Sequence, residues 1–336
     1  MTNSSPADNF PIVWSQDTAT MAMPDRLSVL EAVAFKQNYQ QLLESSPVPQ
    51  KIILDFQATR FMDSSGVGAL VSNFKVTQAQ GYQVVLQNVN PPVMAVLTMT
   101  GLDRILSIET QTTTTTTAST PSSSSTEKHR PPETHPSVRS HIKRILDIVG
   151  SLVGLGITGV LLIPIGIAIK LDSPGPLFFG QTRCGWLGKR FTIWKFRSMC
   201  SNAEALKSQV PNQASGAFFK NKNDPRVTRV GRFLRRTSLD ELPQFWNVLK
   251  GEMSLVGTRP PTPNEVDTYD VPEWQRLDVK PGMTGEWQVH GRSQIQNFED
   301  VIEFDLRYQR HWSLRYDLIL IVKTILVVFR RNSGAY

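Results

Sequence analysis

The chain has 336 residues, 40% of them hydrophobic, and this length predicts about two domains. A mean hydropathy of −0.21 excludes a protein with many membrane spans, which would be far more apolar. The formal charge of +7 indicates an anionic partner: nucleic acid, a membrane surface or a phosphorylated substrate. Residues 1–110 carry 6 lysines and arginines against 9 acidic residues, and residues 111–336 carry 30 against 20. Only the second part therefore calls for an anionic partner.

The first 110 residues alternate between helix and strand patterns. Apolar residues at helical spacing predict a helix over 27–43, and the short apolar run 51–56 predicts a buried strand. A second helix is predicted over 65–80 and another strand over 82–86. Strands that alternate with helices indicate parallel strands flanked by helices.

The segment before the second helix, residues 61–68, reads FMDSSGVG. It resembles the signature of the STAS (anti-anti-sigma) family, whose helix opens with Asp-Ser-Ser-Gly. The resemblance implies an α/β STAS domain over 12–109, with a mixed sheet and flanking helices, and a regulatory protein as partner. It also implies a phosphorylation site at Ser64, where a phosphate would meet free N–H groups at a helix N-terminus. The alternative is that Asp63, Ser64 and Ser65 only cap the helix.

Residues 110–137 are rich in threonine, serine and proline and contain almost nothing apolar. Such a composition cannot bury enough surface to fold, so it predicts a disordered linker. The linker separates the STAS domain from a second domain over 138–336.

The second domain begins with an uncharged run of 22 residues, 148–169. About 20 apolar residues in a helix span a bilayer core of about 30 Å, so a single-pass helix is one interpretation. However, Pro164 would kink the helix, and the basic residues on both flanks favour the cytoplasmic side. A membrane segment that enters, bends and leaves by the same face is the second interpretation. Both stay open at this point.

Beyond the membrane segment, residues 175–185 and 189–199 predict a small β-hairpin. The adjacent carboxylates Asp240 and Glu241 follow, and Pro243 predicts a helix start near Asp240 because proline fits only the first helical turn. The spacing of Ser238 and Glu241 also matches a capping box, which is the structural alternative. A carboxylate that attacks a diphosphate needs cations nearby, and guanidinium groups suit phosphate. Five arginines precede the pair, at positions 226, 229, 232, 235 and 236, and Arg259 follows it.

Four motifs follow one another in this region: NDPRVTRVGRFLRRTSLDELPQ (223–244), NVLKGEMSLVGTRP (247–260), KPGMTG (280–285) and QVHGR (288–292). Together they resemble the bacterial sugar transferases, the monotopic phosphoglycosyl transferases that initiate exopolysaccharide, capsule or O-antigen-type glycans. The resemblance implies transfer of a sugar-1-phosphate from a UDP-sugar to undecaprenyl phosphate. It also implies a mostly α-helical catalytic domain with a small hairpin and a membrane helix kinked at Pro164.

The same resemblance assigns the site residues. Asp240 would be the nucleophile of a covalent intermediate, and Glu241 would help to hold Mg²⁺. The substrate phosphates and nucleotide would be bound by Arg183, Lys195, Arg197, Arg235, Arg236 and Arg259. Three of these, Arg183, Lys195 and Arg197, could instead anchor to anionic lipid headgroups. The implied location is the bacterial inner (cytoplasmic) membrane, with both domains facing the cytoplasm.

Two other classes of function are weaker. An interaction protein that signals through its STAS domain, with an inactive transferase half as membrane anchor, is disfavoured by the intact Asp240, Glu241 and Arg259. Nucleic-acid binding is not expected, because no recognisable reading motif is present. The apolar stretch 318–329 is too short to span a membrane and predicts an interfacial helix or a buried core helix.

Overall fold

The computed structural model describes residues 10–45, 48–109, 134–213, 221, 223–290 and 297–329. The chain divides into two compact units, 1–134 and 135–336, which are described separately. Residues 110–133 of the predicted linker lie outside the described residues, as do the last two residues of the fourth motif, 291 and 292.

The N-terminal unit is built on a five-stranded mixed sheet. Its strands are β1 (Ile12–Ser15), β2 (Thr18–Ala22), β4 (Lys51–Asp55), β6 (Gln83–Gln87) and β7 (Ser107–Glu109), in that spatial order. β1 pairs antiparallel to β2, and the other neighbours are parallel. Two short strands, β3 (Arg26–Leu27) and β5 (Phe61–Met62), form a separate parallel pair. The predicted α/β domain with a mixed sheet is confirmed.

The helices of this unit are α1 (Val29–Glu44), α2 (Ser64–Ala79) and α3 (Pro91–Thr100), with a 3-10 turn at Leu102–Arg104. Asp63 caps α2, since its side chain accepts hydrogen bonds from the backbone N–H groups of Ser65 and Gly66 at 2.9 and 3.0 Å. A side chain at Gly66 would come within 2.5 Å of the Leu27 carbonyl oxygen. The Asp-Ser-Ser-Gly signature therefore builds a capped helix that starts against the β3–β5 pair.

The C-terminal unit is mostly helical. Its helices are α4 (Pro136–Arg139), α5 (His141–Asp172), α6 (Arg229–Arg236), α7 (Phe245–Lys250), α8 (Pro263–Val266), α9 (Glu286–Val289), α10 (Phe298–Arg310) and α11 (Leu314–Phe329). Its strands are β8 (Phe178–Cys184), β9 (Arg190–Phe196), β10 (Ser254–Val256) and β11 (Gly282–Thr284). Short 3-10 segments lie at Trp186–Gly188, Lys207–Gln209, Leu239–Gln244 and Val271–Leu277. β8 and β9 form the predicted antiparallel hairpin, and β10 runs parallel to β11.

The helix that contains Asp240 is a 3-10 helix and not the α-helix predicted to start there. Residues Leu239–Gln244 form a 3-10 helix in which Pro243 is the fifth residue, and the α-helix begins only at Phe245. The capping box is also wrong, because Ser238 has a left-handed backbone (φ 56°) and its side chain makes no capping hydrogen bond. A left-handed residue turns the chain sharply between α6 and the 3-10 helix, and this turn is what presents Asp240.

The long helix α5 contains the whole predicted membrane segment. It has 32 residues, or about 48 Å at 1.5 Å per residue, and continues on both sides of Pro164. Within the part of the chain that the structure describes, it is the one helix long and apolar enough to cross a membrane. The bend at Pro164 and the choice between spanning and re-entry stay predictions.

Polar residues on one face of α5 attach it to the rest of the unit. The Asp147 carboxylate accepts hydrogen bonds from the Ser254 hydroxyl and the Leu255 N–H, both at 2.9 Å. Lys143 donates to Asp317 of α11 at 2.6 Å and to the Val256 carbonyl of β10 at 3.0 Å. These buried contacts fix the N-terminal part of α5 to β10 and α11.

The helix α11 contains the C-terminal apolar stretch and is buried on one side only; its position at a membrane interface stays a prediction. Asp317 and Leu320 are buried inside the unit, in line with a core helix. Exposed apolar side chains cover its other side: Leu318, Ile319, Val322, Ile325 and Leu326.

Candidate active site

Asp240 and Glu241 lie together in the 3-10 helix between α6 and α7, and only 5% and 9% of their surfaces are exposed. Lys195 of β9 donates to the Glu241 carboxylate at 3.0 Å. The hairpin therefore places the Lys195 ammonium group next to the carboxylate pair. This arrangement is difficult to explain as a solvated surface feature, because buried charges are costly unless they are paired.

An apolar cluster packs against the 3-10 helix that carries the pair. Its members come from α5, β9 and α6, and residues of the 3-10 helix pack against it: Ile165, Ile169, Phe196, Leu234, Leu239 and Leu242. The Thr158 hydroxyl of α5 also donates to the Leu242 carbonyl at 3.4 Å. The segment that carries the carboxylates is thus packed against the long apolar helix α5.

Arg259 follows β10 and forms a bidentate ion pair with Glu265 of α8, at 2.6 and 3.2 Å. Burial by itself would raise the pKa of Glu265, but the charge and hydrogen bonds of Arg259 hold that pKa below its usual value. Both groups are therefore charged at neutral pH, and the guanidinium has a fixed orientation.

Arg183 of β8 connects Arg259 with the carboxylate pair. It donates to the Pro260 carbonyl at 2.9 Å, and it interacts electrostatically with Glu241, Glu265 and Arg259. Burial and the neighbouring charge of Arg259 lower the pKa of Arg183 to about 10, so it is still a cation at neutral pH. Two cations that are held close together in this way favour an anionic ligand such as a diphosphate.

Arg235, Arg236 and Arg197 have other surroundings or contacts. Arg235 donates to the Ser198 hydroxyl at 2.9 Å, and Arg236 is exposed on α6. Arg197 is 6% exposed and donates to the carbonyls of Ser173 and Pro174. The structure thus pairs Lys195 with Glu241, places Arg183 within electrostatic reach of both Glu241 and Arg259, and directs Arg197 to the end of α5. The roles predicted for these side chains toward substrate stay predictions.

The motif glycines bring two backbones into contact. A side chain on Gly282 would overlap the backbone nitrogen of Gly257, and one on Gly257 would overlap the carbonyl of Lys280. The Gly257 N–H donates to the Thr284 carbonyl at 2.9 Å. Close pairing of the second and third motifs therefore fixes the segment that leads into Arg259.

Several residues around Arg259 gave no sequence signal. Glu265 is its carboxylate partner, and the centre of the Trp287 ring lies 5.8 Å from the Arg259 guanidinium carbon. Arg276 and Asp305 contact the Arg259 backbone. Only Glu265 could have been suspected, from its position within the same short segment as Arg259. The others are far apart in sequence, and no local pattern indicates that they meet.

The residues present fit a magnesium ion shared with a substrate. Among the described residues no group of three or more histidine, cysteine, aspartate or glutamate side chains could hold a metal by itself. Mg²⁺ commonly takes one or two carboxylates and completes its shell with water and substrate phosphates. Asp240 and Glu241 supply two adjacent carboxylates of this kind.

In the N-terminal unit, Ser64 is fully buried at the first residue of α2. The capping role expected as the alternative is taken by Asp63. A kinase could reach the Ser64 hydroxyl only after this part of the unit opens, and its phosphorylation stays a prediction.

Comparison with known proteins separates the same two parts of the chain. The model of the bacterial sugar transferase family matches residues 138–331, and the model of the STAS domain matches residues 16–118. The galactosyl transferase CpsE of Streptococcus agalactiae is 47% identical over 193 residues, which cover 56% of this chain and 43% of that protein. The undecaprenyl-phosphate galactose phosphotransferase of Salmonella typhimurium is 45% identical over 201 residues, covering 58% and 42%.

A shorter relative is matched almost throughout. The exopolysaccharide production protein ExoY of Rhizobium meliloti is 36% identical over 200 residues, which cover 58% of this chain and 88% of that protein. By contrast, the chain spans less than half the length of the Streptococcus and Salmonella proteins.

Proposed function

The chain belongs to the bacterial sugar transferase family over residues 138–331 and carries a STAS domain over 16–118, and on this basis we propose that it transfers a sugar-1-phosphate from a UDP-sugar to undecaprenyl phosphate. The observation that carries the proposal is the buried Asp240–Glu241 pair, with Lys195 at hydrogen-bond distance and Arg183 in its electrostatic reach. The class of substrate is supported by the names of two relatives, a galactosyl transferase and an undecaprenyl-phosphate galactose phosphotransferase.

Two displacements at one phosphorus account for the reaction. In the first, a carboxylate oxygen of Asp240 attacks the sugar-linked phosphorus of the UDP-sugar, and the bond to the bridging oxygen breaks. UMP leaves with that electron pair, and an acyl-phosphate joins Asp240 to the sugar. In the second, a phosphate oxygen of undecaprenyl phosphate attacks the same phosphorus. The Asp240 carboxylate is released, and the product is a lipid-linked sugar diphosphate.

The chain's own cations serve the first step. Arg183 and Arg259 would neutralise the diphosphate, which otherwise repels the attacking carboxylate. Lys195 orients the Glu241 carboxylate beside Asp240 through its hydrogen bond. A magnesium ion held with the help of Glu241 would supply further stabilisation of the leaving phosphate.

The acceptor is a membrane lipid, and α5 provides the means to reach it. We propose that this helix inserts into the bacterial inner membrane with the catalytic unit and the STAS domain on the cytoplasmic side. Single cysteines introduced next to residues 148 and 169 test the topology. Labelling of both from the cytoplasmic face supports a re-entrant helix, and labelling from opposite faces supports a spanning one.

For the STAS domain we propose a regulatory contact with a partner protein that phosphorylation at Ser64 would alter. Deletion of residues 1–110 should then change polysaccharide flux or the proteins recovered with the enzyme. If neither changes, the regulatory role is wrong.

The central experiment is transfer of a radiolabelled sugar phosphate to undecaprenyl phosphate in detergent with Mg²⁺. Wild type should form lipid-linked product and Asp240→Asn should form none, because the amide is not a nucleophile. Asp300→Asn, which changes an exposed carboxylate on α10, is the matched control and should retain full activity. Equal activity of wild type and Asp240→Asn would refute the nucleophile, and a panel of UDP-sugars would identify the donor.

A further inference from the structure

A fully buried ion pair lies behind Arg259. Arg276 comes from the 3-10 helix Val271–Leu277 and Asp305 from α10, and their side chains are 0% and 2% exposed. The two groups are in direct hydrogen-bond contact. Neither residue was singled out from the sequence, and the reaction described above does not use either.

Both members of this pair bind the backbone of Arg259. The Arg259 N–H donates to one Asp305 oxygen at 3.3 Å, and an Arg276 amino group donates to the Arg259 carbonyl at 3.2 Å. One ion pair therefore holds the peptide groups on both sides of the same α-carbon. The Arg259 side chain is held independently by Glu265.

Aromatic residues enclose the pair. Arg276 donates to the Tyr269 hydroxyl at 2.6 Å, and its guanidinium carbon lies 5.7 Å from the Tyr269 ring centre and 5.6 Å from that of Phe298. A buried ion pair is commonly no more stabilising than well-packed apolar residues of the same size. Such a pair does provide hydrogen bonds of defined geometry, and here these bonds hold the backbone of Arg259.

We propose that Arg276 and Asp305 are positioning residues, which fix Arg259 at the distance and angle needed to bind a phosphate of the nucleotide sugar. The inference rests on the proposed function, because it gives Arg259 the task of binding the UDP-sugar. Loss of the pair would leave Arg259 present but misplaced, and a misplacement of about 1 Å can cost up to a hundredfold.

Arg276→Lys is the main test variant, since lysine keeps the charge but cannot reach Asp305, Tyr269 and the Arg259 carbonyl together. We expect the KM for the UDP-sugar to rise roughly tenfold, with a smaller change in kcat, and the affinity for UDP measured by calorimetry to fall in the same ratio. Tyr269→Phe removes only the hydroxyl next to Arg276 and keeps the ring. It should raise KM in the same direction by a few-fold, and it covers the case in which Arg276→Lys does not fold.

The matched control is a second buried ion pair, which binds a backbone carbonyl three residues before Arg259. Lys143 and Asp317 are 7% and 5% exposed and 2.6 Å apart, and Lys143 donates to the Val256 carbonyl rather than to Arg259. Asp317→Asn should lower the melting temperature while the KM for the UDP-sugar stays within about twofold. General loosening of the unit would instead raise KM in both variants.

A double-mutant cycle separates positioning from a merely structural effect. If Arg276 acts through Arg259, adding Arg276→Lys to Arg259→Ala should produce no further rise in KM or loss of UDP affinity. An undiminished effect in that background, or an unchanged KM in Arg276→Lys, would overturn the inference. Wild type that binds UDP but transfers no sugar phosphate would refute the proposed function, and the UDP affinities of the variants would still decide the positioning role.

Discussion

Replacing Arg197 with lysine should destabilise the C-terminal end of α5 and leave UDP-sugar binding unchanged. The Arg197 guanidinium donates to the Ser173 carbonyl at 2.6 Å, the Ser173 hydroxyl at 3.1 Å and the Pro174 carbonyl at 2.9 Å. These groups lie directly after the last turn of α5, where unpaired carbonyls and the negative end of the helix dipole favour a cation. The contacts indicate that Arg197 anchors the helix end.

The size of the effect follows from these contacts. A lysine ammonium at the same place can keep about one of the three hydrogen bonds, and each bond from a charged donor contributes about 1.5–3 kcal/mol. Ser173 is partly exposed and Pro174 is exposed, so water can replace some of the loss. We therefore expect a loss of about 2–3 kcal/mol, which for a unit of this size lowers Tm by roughly 5–10 °C.

A second variant perturbs the same contact from the opposite side. Gly175 has φ +124°, and a side chain there would overlap the Arg197 guanidinium. Gly175→Ala should therefore lower Tm in the same direction as Arg197→Lys, and the two effects should be less than additive. Thermal unfolding in detergent and the KM for UDP-sugar are the two measurements. An unchanged Tm together with a raised KM in Arg197→Lys would refute this reasoning and favour the phosphate-binding role predicted from the sequence.

Three further predictions concern single groups. The pKa of Glu265 in the folded state lies below its usual value of 4.5. The stability that its pair with Arg259 contributes should therefore be fully present above pH 4.5 and be lost as the pH falls through the folded-state pKa. Unfolding measured over a range of pH should show a weaker pH dependence in Glu265→Gln. Ser64→Asp should place a charge in a buried site and so speed hydrogen exchange of the α2 amides, whereas Ser64→Ala should not. Unchanged exchange in Ser64→Asp would mean that the site is open to modification. Burial raises the pKa of Cys184 to about 11, so iodoacetamide should label Cys200 first in the native protein, and equal rates for the two would contradict the described burial.

Four elements of the STAS domain, α1, β4, α2 and β6, were predicted from the sequence because their signals are local. The predicted helix over 27–43 and strand over 51–56 correspond to α1 and β4 within one or two residues. Their apolar residues face one core, so periodicity reports burial directly. The antiparallel β1 was not predicted, because its exposed Val13 and Trp14 lack the pattern of a half-buried strand.

Around Asp240 the local signals were misleading. Pro243 and the Ser238–Glu241 spacing both indicated an ordinary helix start, but the left-handed Ser238 and the packing against β9 produce a 3-10 helix instead. Tertiary contacts outweighed a weak local preference, since a turn of helix that short is decided by what it packs against.

The sequence by itself determined the two-part organisation, the STAS fold, the apolar helix and the family to which the larger part belongs. These depend on periodicity, composition and motif order, which are properties of neighbouring residues. Only the tertiary structure showed that Lys195 meets Glu241, that Arg197 binds the end of α5, and that Arg276 and Asp305 hold Arg259. Charged side chains of the same type look alike in a sequence, and their roles differ because folding gives each one different partners and a different degree of burial.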